Sequence, residues 1–396
     1  MRDTLLTDNL PQPDSQAIQC SNKLVEIIRQ ECNRTPGGIP FSRFMHLALY
    51  APGLGYYSSG SRKFGEKGDF ITAPEVSSLF SQCIARQLQQ VLSEIETPDV
   101  LEFGAGSGAM AADMLIELER LDALPEHYCI IELSAGLRER QRQTITEKAA
   151  HLLDRVQWLD RLPGVAFQGV IVANEVLDAM PVECFRINEG NVEQLRVVAN
   201  GDQLLPAYAM AEDTIIEQVR IIEQHRGAAF NDGYCSEFNP AINPWLASLY
   251  DGLERGLVLL IDYGYPVQEY YLDERDNGTL ICHYQQRAHA DPLWYPGLQD
   301  ITAFVDFSAV ASAAADAGFD ISGYTSQAMF LLGCGLAELH QSSVTDDPRE
   351  QLLLAQQIKT LTLPSEMGER FKAMALSKNI DLSLAGFAMQ DYRNRL

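Results

Sequence analysis

Basic residues are scarce in this chain. Of its 396 residues, 30 are Lys or Arg against 54 Asp or Glu, a formal net charge of −24 at pH 7. It therefore lacks the basic footprint through which polyanions are bound by counterion release, which excludes a nucleic-acid binder working through bulk charge. Closely spaced cysteines are lacking too. Cys20, Cys32, Cys83, Cys129, Cys184, Cys235, Cys282 and Cys334 are scattered, with no C-x-x-C pair, so they read as reduced, mostly buried thiols. No His, Cys and carboxylate cluster has ligand spacing, and no metal is expected. No apolar run approaches a membrane span, so membrane insertion is not expected. The opening MRDTLLTDNLPQPDSQ carries Asp3, Asp8 and Asp14 and resembles neither a secretory signal nor an acid-poor transit peptide, which predicts a cytoplasmic protein.

What is present is an ordinary globular balance, 46% hydrophobic and 21% charged. Residues 15–34 and 74–96 show the spacing of amphipathic helices, with a Gly- and aromatic-rich segment between them. From residue 98, short apolar runs alternate with helical stretches: DVLEFG, AMAADMLIELERL, YCIIEL, LRERQRQTITEKAA, VQWL, GVIVANE, and later GLVLLIDYG at 256–264 and FVDFSAVASAAADAG at 304–318. That rhythm predicts an α/β fold with a parallel, Rossmann-like sheet covered on both faces. The expected organisation is an N-terminal helical, cofactor-covering region (1–97), the two halves of the sheet domain (98–188 and 251–337), an α+β insertion that binds substrate (189–250) and a helical C-terminal region (338–396).

Four motifs carry chemistry. In LEFGAGSGAM at 101–110, Gly104, Gly106 and Gly108 allow positive φ and let a ligand lie against bare backbone at a helix N-terminus. With Ala109 the turn also satisfies the dinucleotide pattern G-x-G-x-x-A, which keeps a nicotinamide-dependent oxidoreductase as an alternative. Glu102 argues against it, because a carboxylate there repels a pyrophosphate but suits the ammonium of S-adenosylmethionine. Glu132, ending YCIIEL, stands where a Rossmann-like sheet presents a carboxylate to ribose hydroxyls. Trp158 and Asp160 fall where adenine would lie, although Trp158 reads equally as core. In IVANEVLDAMP at 171–181, Asn174, Glu175 and Asp178 would line the crevice beyond the strand ends, on an expected strand-to-helix turn; the alternative is a set of turn and cap residues.

With these motifs in place, the chain resembles the MidA family of class I S-adenosylmethionine-dependent methyltransferases, the group that includes a mitochondrial arginine methyltransferase acting as a complex I assembly factor. GDFITAPEVSSLF (68–80), LEFGAGSG (101–108), IIELSAGLRERQ (130–141), NEVLDAMPV (174–182), LLIDYGYP (259–266) and GTLICHYQQRAHADPLWYPGLQDITAFVDF (278–307) carry the resemblance. It implies the cofactor S-adenosylmethionine and methylation of arginine on a protein, a complex I subunit among the acceptors it points to. The alternatives are a cofactor-binding assembly factor without turnover and a methyltransferase with another O- or N-acceptor.

A guanidinium is charged at any workable pH, so it must be gripped by carboxylates and oriented towards the methyl group. Glu175 and Asp178 are the expected catalytic pair; Asp69, Glu75, Asp262 and Asp300 are further substrate-binding candidates. His283 and His289 could serve oxygen methylation as bases but read as structural. The acid excess is concentrated in 189–337, with 21 acids against 6 bases, which predicts a basic protein partner. A homo-oligomer is left open.

Overall fold

The computed structural model describes residues 10–58, 72–164, 167–343 and 345–396. The chain divides into two compact units, each assembled from several stretches. The sheet unit takes the described residues within 71–177, 243–264 and 308–396; the second unit takes those within 1–70, 178–242 and 265–307.

In the sheet unit the strands are β1 (Asp99–Phe103), β2 (Tyr128–Ile131), β3 (Val156–Leu159), β4 (Phe167–Asn174), β5 (Leu253–Tyr265), β6 (Asp320–Ser326) and β7 (Phe371–Lys378). They lie in the order β3-β2-β1-β4-β5-β7-β6. The pairs among β3, β2, β1, β4 and β5 are parallel, whereas β7 runs antiparallel to both neighbours. This is the α/β, class I methyltransferase-like fold expected from the strand-helix rhythm. Successive strands lead away from β1 on one side and from β4 on the other, so the switch point lies between them, where open α/β sheets bind ligands. Helices Ser78–Leu92 and Ala109–Arg120 pack on the sheet through Val91, Leu115 and Leu118, in one core with Val100, Val170, Val172, Leu259 and Ile261.

Two local expectations change. The helix expected over 74–96 is interrupted at Ser77, which is extended (φ −160°) and whose Oγ accepts from the Leu79 N–H, capping Ser78–Leu92 after a short Ala73–Val76 turn of helix. The C-terminal region is helical through Arg370 and then supplies β7, buried along its middle.

The second unit holds an antiparallel sheet in the order Ile39–Pro40, Asn191–Asn200, Glu183–Asn188, Cys235–Phe238, with Gln203–Met210 on the other edge of Asn191–Asn200. A smaller sheet places Ile281–Tyr284 between Arg287–His289 and Asp300–Thr302. Helices Ser15–Arg34, Phe41–Tyr50 and Asp213–Arg226 supply apolar faces to its two cores. None of the eight cysteines is in a disulfide, and six of them are buried. Among the described residues no helix is long and apolar enough to cross a membrane.

Candidate functional site

The carboxyl end of β1 opens into the Gly turn. Gly104, Gly106 and Gly108 have φ of +61°, +52° and +84°, conformations that residues with a Cβ rarely adopt. Gly108 is required twice, because a Cβ there would also stand 2.8 Å from Gln141 Cα. Gly108 leads directly into helix Ala109–Arg120, whose first N–H groups lack intrahelical partners, and the turn is steadied by the Ser107 hydroxyl, which donates to Glu75. Glu75 therefore serves the Gly turn in this structure.

Beneath the turn, Glu102 is 1% exposed and accepts from the Tyr128 phenol at 2.6 Å. Burial pushes its carboxyl up to about 7, with the Tyr128 hydrogen bond opposing the rise. Tyr128, on the neighbouring strand, is a partner that the sequence reading did not contain.

Past β2, Glu132 is held on both oxygens. Oε1 accepts the Ser134 N–H at 2.8 Å and Oε2 accepts from Gln141 Nε2 at 3.1 Å. Burial raises its pKa, and the Ser134 N–H is the strongest counterweight. Trp158 at the end of β3 donates its indole N–H to Gln141 Oε1 at 2.9 Å, and the Arg142 guanidinium lies 4.3 Å from its ring centre. Asp160 is largely exposed and pairs with Arg138 at 2.6 Å; the same guanidinium donates to the carbonyls of Glu132 and Leu159.

At the end of β4, Asn174 donates to Glu175 Oε1 at 3.2 Å, while the buried Asn174 Oδ1 has no hydrogen-bond partner among the described residues. Glu175 has φ +52°, in the left-handed region unusual for a glutamate, and its N–H donates to the Ile261 carbonyl at 2.9 Å. Asp262, on β5, is completely buried. Its Oδ2 accepts the N–H groups of Val176 (3.2 Å) and Leu177 (2.9 Å), and its Oδ1 that of Tyr263 (2.9 Å). Asp262 thus fastens the turn that carries Glu175. No helix follows that turn; the chain bends into strand Glu183–Asn188.

Asp178 and Asp300 belong to the second unit. The Tyr57 hydroxyl donates to Asp300 Oδ1 at 2.9 Å, and the Asp178 carbonyl accepts the Ala303 N–H at 3.0 Å. Burial, with Asp300 and Asp178 among the adjacent groups, holds the Tyr57 phenol well above its ordinary pKa. His289 is buried, with Nδ1 accepting the Asp291 N–H, and burial lowers the pKa of both His283 and His289, as suits structural histidines. Asp69 lies outside the described residues.

Gln141 closes the IIELSAGLRERQ segment with no role assigned to it from the sequence, yet it touches three of the motifs. A signal existed: Gln141, Ile145 and Ala149 are the buried positions of an otherwise polar helix, so a polar residue heads its i, i+4, i+8 inner stripe.

A Gly turn of positive φ, an open helix N-terminus and a fixed carboxylate after the second strand fit an adenosyl cofactor with an amino-acid tail, and the pairing of β1 with β2 brings them together. These features define a class I S-adenosylmethionine-dependent methyltransferase. The chain belongs to the family described as "Putative S-adenosyl-L-methionine-dependent methyltransferase", whose model matches residues 83–325. A Burkholderia thailandensis protein crystallised with S-adenosyl-homocysteine superposes with a TM-score of 0.92 and 42% identity over 98% of this chain and 100% of its own. The protein arginine methyltransferase NDUFAF7 homolog, mitochondrial, of Drosophila melanogaster is 28% identical over 92% of this chain and 87% of its own length. The rat protein arginine methyltransferase NDUFAF7, mitochondrial, is 28% identical over 87% and 82%. S-adenosylmethionine is the cofactor, and the MidA resemblance stands. The cytoplasmic expectation is corrected by these relatives, which are mitochondrial proteins.

Proposed function

We propose that the chain transfers a methyl group from S-adenosylmethionine to an arginine of a basic protein substrate. The observation that carries this reading is Glu175, a carboxylate in a strained left-handed conformation at the switch point, on a turn fastened by Asp262. Strain of this kind costs on the order of 1–3 kcal/mol and persists where a side chain must be aimed. The relatives named as protein arginine methyltransferases support the choice of acceptor.

In this reading the Gly104–Gly108 turn and the N-terminus of Ala109–Arg120 take the methionine carboxylate, and Glu132 takes the ribose hydroxyls. Asn174 offers its buried Oδ1 to the cofactor's ammonium, and Glu102 favours that cation through its field from below. Asp160, held by Arg138, marks the adenine edge. When bound, the cofactor supplies an electrophilic sulfonium methyl. Glu175 accepts guanidinium N–H groups, turns one nitrogen towards that methyl and receives the proton that the methylated nitrogen releases.

The test is transfer of labelled methyl from S-adenosylmethionine to lysate protein, followed by hydrolysis and methyl-arginine analysis. Label in methyl-arginine, lost in Glu175→Gln, is expected. Label in another residue type would overturn the acceptor, and no label above the variant would leave an assembly factor without turnover.

A further inference from the structure

Gln141 is wholly buried and spends every hydrogen-bonding direction of its donor group on the cofactor face of the sheet unit. Its Nε2 donates to the Gly106 carbonyl at 3.2 Å and to Glu132 Oε2 at 3.1 Å, and its Oε1 accepts the Trp158 indole N–H at 2.9 Å. Because an indole can only donate, the atom facing Trp158 must be the amide oxygen, which fixes the amide's orientation. One side chain therefore joins the Gly turn after β1, the carboxylate after β2 and the aromatic at the end of β3. Its backbone also packs directly against Gly108.

From this geometry we propose that Gln141 is the positioning residue that sets the adenosine half of the cofactor site, holding Glu132 and Trp158 at a fixed distance from the Gly turn. The proposal rests on the reading of Glu132 as the ribose carboxylate. Ser134 fixes one Glu132 oxygen through backbone and Gln141 fixes the other, so the carboxylate has one orientation. Without the amide, Glu132 loses the partner of its second oxygen, and the part-buried indole N–H loses its acceptor. Each loss weakens preorganisation for the nucleoside and leaves the methyl-acceptor side untouched.

The test measures S-adenosyl-homocysteine affinity by calorimetry for the wild type, Gln141→Leu, Gln141→Glu and Glu132→Gln. Loss of one hydrogen bond to a charged group predicts weakening of about tenfold or more in Gln141→Leu, with kcat at saturating cofactor within about twofold of wild type. A glutamate at 141 still accepts from Trp158 but donates to Glu132 only when protonated. The affinity of Gln141→Glu relative to wild type is therefore expected to recover as pH falls from alkaline to mildly acidic values, a dependence that a merely structural role would not produce. Wild-type affinity in Gln141→Leu would overturn the proposal; should that variant fail to fold, a pH-independent ratio in Gln141→Glu overturns it. Unchanged affinity in Glu132→Gln would instead remove the ribose assignment on which the inference stands.

Discussion

The Tyr128 phenol donates to the Glu102 carboxylate at 2.6 Å, across the neighbouring strands β1 and β2 and directly below the Gly turn. Both groups are fully buried, so Glu102 takes up a proton in the folded chain at a pH where it is ionised in the unfolded one. A carboxyl raised from 4.5 to about 7 gives stability that is complete below its unfolded pKa and is lost as pH rises through the folded value. The ligand-free protein is expected to lose roughly 3 kcal/mol between pH 4.5 and 7 from this group. Urea denaturation across that range should show the slope in the wild type and a shallower one in Glu102→Gln.

Glu175→Gln should retain cofactor binding and lose methyl transfer by on the order of a hundredfold, as expected when a group that orients the acceptor loses its charge. Calorimetry with S-adenosyl-homocysteine alongside a radiolabel assay separates the two effects.

Asp262→Ala removes the acceptor for the N–H groups of Val176, Leu177 and Tyr263 in a completely buried place. Stranding buried donors costs about 1–3 kcal/mol each at most, and a total loss of about 3 kcal/mol is expected in chemical denaturation.

Gly108→Ala should destabilise the sheet unit by roughly 1–3 kcal/mol, since φ is +84° and the new methyl meets Gln141 Cα at 2.8 Å. Thermal melting with and without S-adenosyl-homocysteine should show both a lower midpoint and a smaller ligand-induced rise.

An arginine-bearing basic peptide should bind more weakly as ionic strength rises, given 21 acids against 6 bases in 189–337. Fluorescence anisotropy at low and physiological salt reads this directly, and a salt-insensitive affinity would leave the acids as a solubility device.

Much of the sheet unit was legible because its strands are continuous apolar runs ending in chemistry: LEFG in β1, CIIE in β2 and IVANE in β4 are largely buried and each carry a carboxylate in or just past the strand. β7 was not legible, since AMAL within a helix-rich tail has no alternation and a run fully buried on both faces reads equally well as helix. Tyr128 and Gln141 escaped because their importance is a matter of pairing across strands and between a helix and a turn, which spacing along the chain does not encode. Asp262 was legible as a carboxylate at a strand end, but only the packing of β5 beside β4 turns it towards the backbone of 176–177.

The last strand has a consequence for how the molecule is made. β7 lies between β5 and β6, so residues 371–378 fill an interior position of the sheet that earlier parts of the chain have already framed. During synthesis β5 and β6 emerge with a vacant lane between them, exposing two open strand edges until residues 371–378 follow. A chain cut before residue 371 would therefore keep every cofactor motif and carry a gap in the middle of its sheet, an aggregation-prone product rather than a shortened enzyme.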